Sequence, residues 1–181
     1  QINEWEKVTN KMLRWLDVLT HPDGYISFFN DSALKVSSNL TELKKYANRL
    51  NINYSSIKFE KVTHLLNSGY VRLASDNAVA LIDVAKIGPK YLPGHAHADT
   101  LSFELSLFNQ RLLVNTGTSE YENSKIREYE RSTKAHNTVE LNKKDSSEVW
   151  GIFRVARRAT PLEVKFNKLE NSTIVCSKHA V

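Results

Sequence analysis

The chain has 181 residues, enough for one domain, or one and part of another, at about 150 residues per domain. With 41% hydrophobic and 25% charged residues it can bury a core, which excludes global disorder, and no run approaches the roughly 18 apolar residues of a membrane span. A single cysteine, Cys176, excludes an intrachain disulfide framework and a multi-cysteine metal site. The net charge of +5 is scattered in pairs such as Arg157 with Arg158, not gathered in a basic stripe with interleaved aromatics, so nucleic acid is not indicated.

The chain opens on Gln1 rather than Met and enters a helical pattern at once, so a preceding leader or domain is expected. Trp5, Val8, Met12, Trp15 and Leu19 recur at steps of three and four, which predicts one helix face with Trp5 and Trp15 in the core. The pattern stops at HPDGY, where Pro22 and Gly24 punctuate a turn, and ISFFNDSA follows as an irregular apolar segment. Residues 38–50 predict a second helix, with Leu40, Leu43, Tyr46, Ala47 and Leu50 along one stripe and Ser38, Asn39 or Thr41 as its cap. Two helices with strong apolar faces need something to pack on, and the end of a longer helical domain would supply it.

From about Tyr54 the period changes to that of strands. Strands are expected over 70–74, 79–86, 100–108, 111–114, 138–141, 152–158, 162–166 and 173–177. In TLSFELSLF, Leu101, Phe103, Leu105 and Leu107 face one way and Ser102, Glu104 and Ser106 the other. Trp150 and Phe153 fall in an alternating run and are expected in the core. Many short strands joined by polar turns suggest an antiparallel sandwich, and a strand reaching almost to the last residue makes the sheet look unfinished.

The densest chemistry lies in GPKYLPGHAHADTLSFEL. His95, His97 and Asp99 alternate at period two, so in an extended segment they share a face. Two imidazoles on one face can both reach an ion about 2.0–2.1 Å away, and Asp99 is placed to ligate or to orient a histidine. The string resembles the metallo-β-lactamase signature only in part, because Thr100 stands where a further histidine is needed. A second cluster follows in LLVNTGTSEYENSKIREYERSTKAHNTVELN. It reads as a strand ending at Asn115, a sharp turn at Gly117, a polar loop, and a strand resuming after His136. The loop carries Tyr121, Tyr129, Arg127 and Arg131, and a loop held by a sheet is a common place for chemistry. The two arginines are candidates for pairing with anionic groups, or for local salt bridges.

GHAHADTLSFEL, LLVNTGT, RSTKAHNTVELN and EVWGIFRVARRA, in that order and spacing, resemble the heparinase II/III-like polysaccharide lyases; the N-terminal WLDVLTHPDGYISFFNDSALKVSSNLTELKKYANRL is similar to the stretch that precedes them in bacterial members. The resemblance implies an α+β chain holding the C-terminal end of an (α/α) toroid, residues 1–53, followed by part of an antiparallel β-sandwich (super-sandwich) domain, residues 54–181. It implies cleavage of an anionic, uronic-acid-containing polysaccharide by β-elimination, in the periplasm or outside a bacterial cell. That reaction needs a neutralised carboxylate, a base for the C5 proton and an acid for the leaving oxygen. Carried over residue by residue, His95 matches the catalytic histidine, and Tyr129 and Tyr121 are the candidates for a sheet-domain tyrosine, with Tyr129 preferred for its closeness to Arg131 and His136. His97 and His136 match ligands of a zinc ion. Asn115 stands where the family carries a ligating aspartate, so the site loses a negative charge and zinc affinity is expected to fall.

Two other readings remain open at this level. One is a non-catalytic carbohydrate-binding fragment. The other is a metal-dependent hydrolase built on His95, His97 and Asp99.

Overall fold

The computed structural model describes residues 2–52, 54, 58–170 and 172–180, and in it two helices precede an antiparallel β region. α1 spans Ile2–Val18 and α2 spans Leu40–Arg49. The cap of α2 is Asn39, whose side chain accepts from the Glu42 N–H at 3.0 Å. Leu13 of α1 meets Leu40 and Ala47 of α2, with Leu16, Leu43, Ile52 and Tyr54 packed around them. The remainder of the α1 stripe is open: Trp5 is 70% exposed, and Met12 and Trp15 are exposed as well. Within this chain Trp5 and Trp15 are thus not buried by α2. Periodicity marks an apolar face, and α2 is long enough to cover only its Leu13 side. Trp15 reaches the β region instead, where its indole N–H donates to Ser68 Oγ at 2.9 Å and its ring meets Tyr70 edge-on at 6.0 Å.

Five strands form one antiparallel meander in the order β1-β2-β3-β4-β5. They are β1 (Val62–Leu65), β2 (Tyr70–Ala74), β3 (Ala78–Asp83), β4 (Phe103–Leu107) and β5 (Gln110–Leu113). Four fall where alternation predicts them, β2 with the expected bounds, β5 shifted by one residue and β3 and β4 shorter, and β1 is additional. Leu101, with φ +61, breaks the run expected from residue 100, so β4 begins only at Phe103. The irregular segment after α1 lies across one face of this sheet. Phe29 packs on Val79 and Leu81, with Tyr70 and Ala74 beside them. Arg72 of β2 donates to the carbonyls of Val18 and Thr20 at 3.0 and 2.8 Å. That satisfies the C-terminal end of α1, whose last turn has no basic residue of its own.

The buried side of β4 is the polar one. Ser102, Glu104 and Ser106 are almost wholly enclosed, while Phe103, Leu105 and Leu107 are partly exposed. His21 accounts for this: its Nε2 lies 2.7 Å from Glu104 Oε2 and its Nδ1 2.7 Å from Ser106 Oγ. The other Glu104 oxygen accepts from the Phe28 and Asn115 N–H groups, both at 2.9 Å. Buried polar groups are tolerated when bonded in this way. Residues 19–32 thus belong in space with the sheet. A division between 53 and 54 separates them in sequence from the strands they pack on, and Asn53 itself lies outside the described residues.

Beyond β5 come α3 (Lys125–Arg131), a 3-10 turn (Thr133–Ala135), a small hairpin of β6 (Val149–Trp150) and β7 (Arg154–Val155), and a longer hairpin of β8 (Thr160–Lys168) and β9 (Thr173–Ala180). The strand expected over 138–141 does not form. Thr138 Oγ1 bonds the Thr100 carbonyl at 2.9 Å, and Asn142 and Lys143 adopt positive φ in a turn closed by the Leu141–Lys144 bridge. The run 152–158 shrinks to β7, whereas β8 and β9 exceed their expected lengths. Helices followed by antiparallel sheets make the chain α+β, as expected. Among the described residues no helix is long and apolar enough to cross a membrane.

Candidate functional site

Three segments distant in sequence converge beside the sheet: residues 30–32 after α1, the His95–Asp99 loop before β4, and α3. Asn30 has a left-handed backbone, φ +54, which turns the chain inward. Its N–H donates to Asp99 Oδ2 at 3.1 Å and its side-chain oxygen accepts from the His97 N–H at 3.4 Å. The Ser32 carbonyl accepts from Thr118 N–H at 3.1 Å. α3 lies in the stretch that the sequence marks only as a polar loop. Ser124 caps it by accepting from the Arg127 N–H at 3.0 Å, and Arg127, Glu130 and Arg131 all turn inward and are buried. Polarity hides this helix, because its inner face is charged rather than apolar.

Asp31 is the centre of the convergence. Its Oδ1 lies 2.7 Å from His97 Nε2 and 2.5 Å from Arg127 Nη1, and its Oδ2 lies 2.8 Å from His95 Nδ1 and 2.9 Å from Arg127 Nη2. Burial would raise the carboxyl, but hydrogen bonds from His97, Arg127 and His95 outweigh it and hold Asp31 far below the usual carboxylate range. An ionised carboxylate only accepts, so both imidazole nitrogens that face it carry protons. His95 and His97 do not share one face of a strand as the spacing suggests. The loop turns between them, so the His95 side chain is 67% exposed and that of His97 is fully buried. With its Nδ1–H donated to Asp31, His95 turns its other nitrogen, Nε2, outward, where a base is required.

Around His95 stand Tyr121 and Phe153, with ring centroids 6.0 and 5.9 Å from the imidazole and 5.6 Å from each other. Phe153 is 46% exposed, so its expected place in the core is corrected; it forms a wall beside His95. Trp150 is likewise exposed, because β6 and β7 are too short to bury either ring. The Arg127 guanidinium lies 5.2 Å from the Tyr121 ring centroid. Burial and then the charge of Asp31 raise the Tyr121 hydroxyl, so it keeps its proton at neutral pH.

Behind His97 lies His136, with His97 Nδ1 and His136 Nε2 3.2 Å apart. His136 Nδ1 donates to the Ser132 carbonyl at 2.8 Å, so its Nε2 presents a lone pair. Burial, then the charge of His97, pushes His136 down to about 3. His97 is bound to Asp31 through Nε2–H, so a single proton or cation must lie between the two facing nitrogens. Two imidazole ligands on a tetrahedral zinc ion stand about 3.3 Å apart, so this pair fits as two of its ligands. Asn115 fits less well. It is buried nearby, but its side-chain oxygen accepts from the Asn137 N–H at 3.0 Å and its amide donates to Ser102 Oγ at 3.3 Å. Asp99 is enclosed too, and burial raises its carboxyl although His97 opposes the shift. Among the described residues no three His, Cys, Asp or Glu side chains gather into a metal-binding group.

A family model described as Heparinase II/III-like, C-terminal, matches residues 59–180. The chain belongs to this family. Solved structures agree in fold with the heparinase II/III-like assignment. Heparan sulfate lyase HepC from Pedobacter heparinus superposes with a TM-score of 0.64 at 17% identity, over 90% of this chain and 26% of that one. A structure of heparinase III gives 0.61 at 15% identity, over 86% and 28% respectively. A heparinase III gene product gives 0.59 at 19%, over 92% and 29%. The chain therefore spans little more than a quarter of the length of these proteins. No curated protein matches it.

Of the residues that the heparinase II/III-like pattern singles out, the structure brings His95, His97, His136 and Tyr121 into one cluster. Tyr129 is not beside His95. It sits on the outer side of α3, with Lys134 Nζ 5.7 Å from its ring centroid. Closeness to Arg131 in sequence misleads here, because two residues are about 200° apart around a helix and so point to opposite faces. Arg127 and Arg131 are both buried, so the local-bonding alternative replaces their substrate-binding one. Arg131 donates to the carbonyls of Ala96, Trp150, Gly151 and Arg154 at 2.9–3.2 Å, tying the histidine loop to the β6–β7 hairpin. Asp31 escaped the sequence reading. Its one signal is its place at the end of the apolar ISFFN run, which must pack somewhere and carries its acid along.

Proposed function

We propose that the protein carrying this chain is a lyase that cleaves an anionic, uronate-containing polysaccharide by β-elimination. The observation that carries the reading is His95, exposed, tied by Nδ1–H to Asp31, and flanked by the protonated Tyr121 hydroxyl. His95 Nε2 takes the C5 proton of the uronate. The electron pair of that C–H bond forms the C4=C5 double bond, the C4–O bond breaks, and the Tyr121 hydroxyl protonates the leaving oxygen. Phe153 and the Tyr121 ring offer apolar faces against which a sugar ring can lie. Among the described residues around His95, Arg127 is committed to Asp31 and does not supply the group that neutralises the uronate carboxylate. That group is assigned to the part of the protein beyond this chain.

His97 and His136 would hold a zinc ion through Nδ1 and Nε2, and an ion bound there supplies a positive charge that fastens the His95–Asp99 loop to the α3 end. A metal-dependent hydrolase is disfavoured, since His97 and Asp99 are enclosed and cannot present an ion to a substrate. Action in the periplasm or outside the cell goes with the same reading, as the place where such glycans occur.

The test is ultraviolet absorbance of the unsaturated product. Full-length protein is assayed against heparan, chondroitin, alginate and related uronans, beside His95→Ala. A rise with the unaltered protein and none with the variant supports the reading. No rise with any substrate removes it.

A further inference from the structure

We infer that Asp31 is the positioning residue of the site: its one carboxylate accepts from Nδ1–H of His95 and from Nε2–H of His97, so that the remaining nitrogen of one imidazole faces substrate and that of the other faces the interior. The inference rests on the lyase reading only for its consequence in activity.

The geometry is a four-donor fork. Each oxygen of Asp31 accepts one histidine N–H and one Arg127 N–H, at 2.5–2.9 Å. These bonds engage both oxygens, with the Tyr121 hydroxyl a further side-chain neighbour, and leave the carboxylate little freedom to rotate. His95 meets the fork through Nδ1 and His97 through Nε2. The free nitrogen of His95 is therefore Nε2, directed away from Asp31 on the exposed side. The remaining nitrogen of His97 is Nδ1, directed at His136. An imidazole in water favours the proton on Nε2, and His95 is mostly exposed, so without Asp31 its proton would sit on the outward nitrogen and block the base.

Arg127 holds the fork from behind. Its guanidinium also donates to Thr118 Oγ1 at 2.8 Å and to the Ile152 carbonyl at 3.2–3.3 Å, so it is anchored from three sides. Asp31 itself comes from the segment after α1, whereas both histidines and Arg127 come from beyond β3. Assembly of the site thus requires residues 19–32 to be seated on the sheet.

The test reads tautomers directly. In full-length protein labelled with 15N-histidine, two-bond 1H–15N spectra are recorded about two pH units above the ordinary imidazole value. His95 signals are assigned by their loss in His95→Gln. The expected result is a protonated Nδ1 and a bare Nε2 for His95 in the unaltered protein. In Asp31→Asn the His95 proton moves to Nε2, kcat falls by about tenfold or more, and KM stays within about twofold. An unaltered protein with His95 protonated on Nε2 overturns the inference, and so does a folded Asp31→Asn whose His95 signals do not change. Should Asp31→Asn fail to fold, the spectrum of the unaltered protein decides. The Nδ1–H pattern in a protein that gives no unsaturated product removes the lyase reading and leaves the positioning role standing. Product formation with the opposite tautomer does the reverse.

Discussion

The carbonyl oxygen of Ser32 occupies the place where any residue but glycine at position 117 would carry its Cβ. Gly117 also has φ +62, which other residues adopt at a cost of about 1–2 kcal/mol. The contact lies next to Asp31, and the Thr118 N–H bond to Ser32 holds it closed. Gly117→Ala must push Ser32 away and carry Asp31 with it. The expected outcome is a loss of about 2–4 kcal/mol in urea unfolding together with loss of product formation. A variant of unaltered stability would mean that the two loops separate at no cost.

Zinc is the second case. His97 and His136 offer converging lone pairs, but Asn115 brings no charge and its amide is already bonded on both sides. Asn115→Asp adds a carboxylate close to buried Glu104, which receives the Asn115 N–H. Without metal the variant should be less stable than the unaltered chain, by about 1–3 kcal/mol. With excess zinc it should gain more in thermal midpoint than the unaltered chain does, and His97→Ala should abolish the gain. Equal zinc responses in all three proteins would show that position 115 does not face the ion.

The class of fold was legible because its signals are apolar: steps of three and four along α1 and α2, and alternation in β2 to β5. The interior of the site was not, because it is polar. Ser102, Glu104 and Ser106 look like a solvent face and are instead sealed by His21. α3 looks like a loop because Arg127, Glu130 and Arg131 point inward, each with a partner that no periodicity reveals. His95, His97 and His136 were legible as a set from spacing and resemblance. Asp31 was not, since its partners lie more than 60 residues away in sequence.

The tyrosines separate cleanly. Tyr121 sits against His95, and Tyr129 lies on the outer side of α3 near Lys134. Tyr121→Phe should lower kcat about 10²-fold or more, the usual worth of a positioned acid, while Tyr129→Phe stays within a few-fold of the unaltered protein. Both are read from the rate of product absorbance. Equal losses would remove Tyr121 from the role of acid.

Arg131 offers a test of scaffold rather than chemistry. One guanidinium, 1% exposed, satisfies four backbone carbonyls. Arg131→Ala leaves those carbonyls without their donor and should cost about 3–5 kcal/mol in urea unfolding. Arg131→Lys should recover little, since a single ammonium cannot fork to both the Ala96 loop and the β6–β7 hairpin. A Lys variant close to the unaltered stability would show that charge alone, without the fork, holds the two together.

Asp83 gives the fold a pH dependence of definite sign. It is enclosed in β3, and burial, then the charge of Asp99, raises its carboxyl well above 3.8. Below about pH 4 the side chain is protonated in both folded and unfolded chains and costs nothing. As pH rises, the unfolded chain releases this proton first, so the folded state loses stability by up to about 1.4 kcal/mol per pH unit until its own carboxyl titrates. Asp83→Asn keeps an oxygen to accept the Ala85 N–H, now at 2.7 Å, and removes the charge. The thermal midpoint of Asp83→Asn should therefore match that of the unaltered chain at low pH and exceed it by a margin that widens from about pH 4 upward. A margin that is flat or shrinks over that range would show that Asp83 ionises freely in the folded protein, and that water or a cation reaches it.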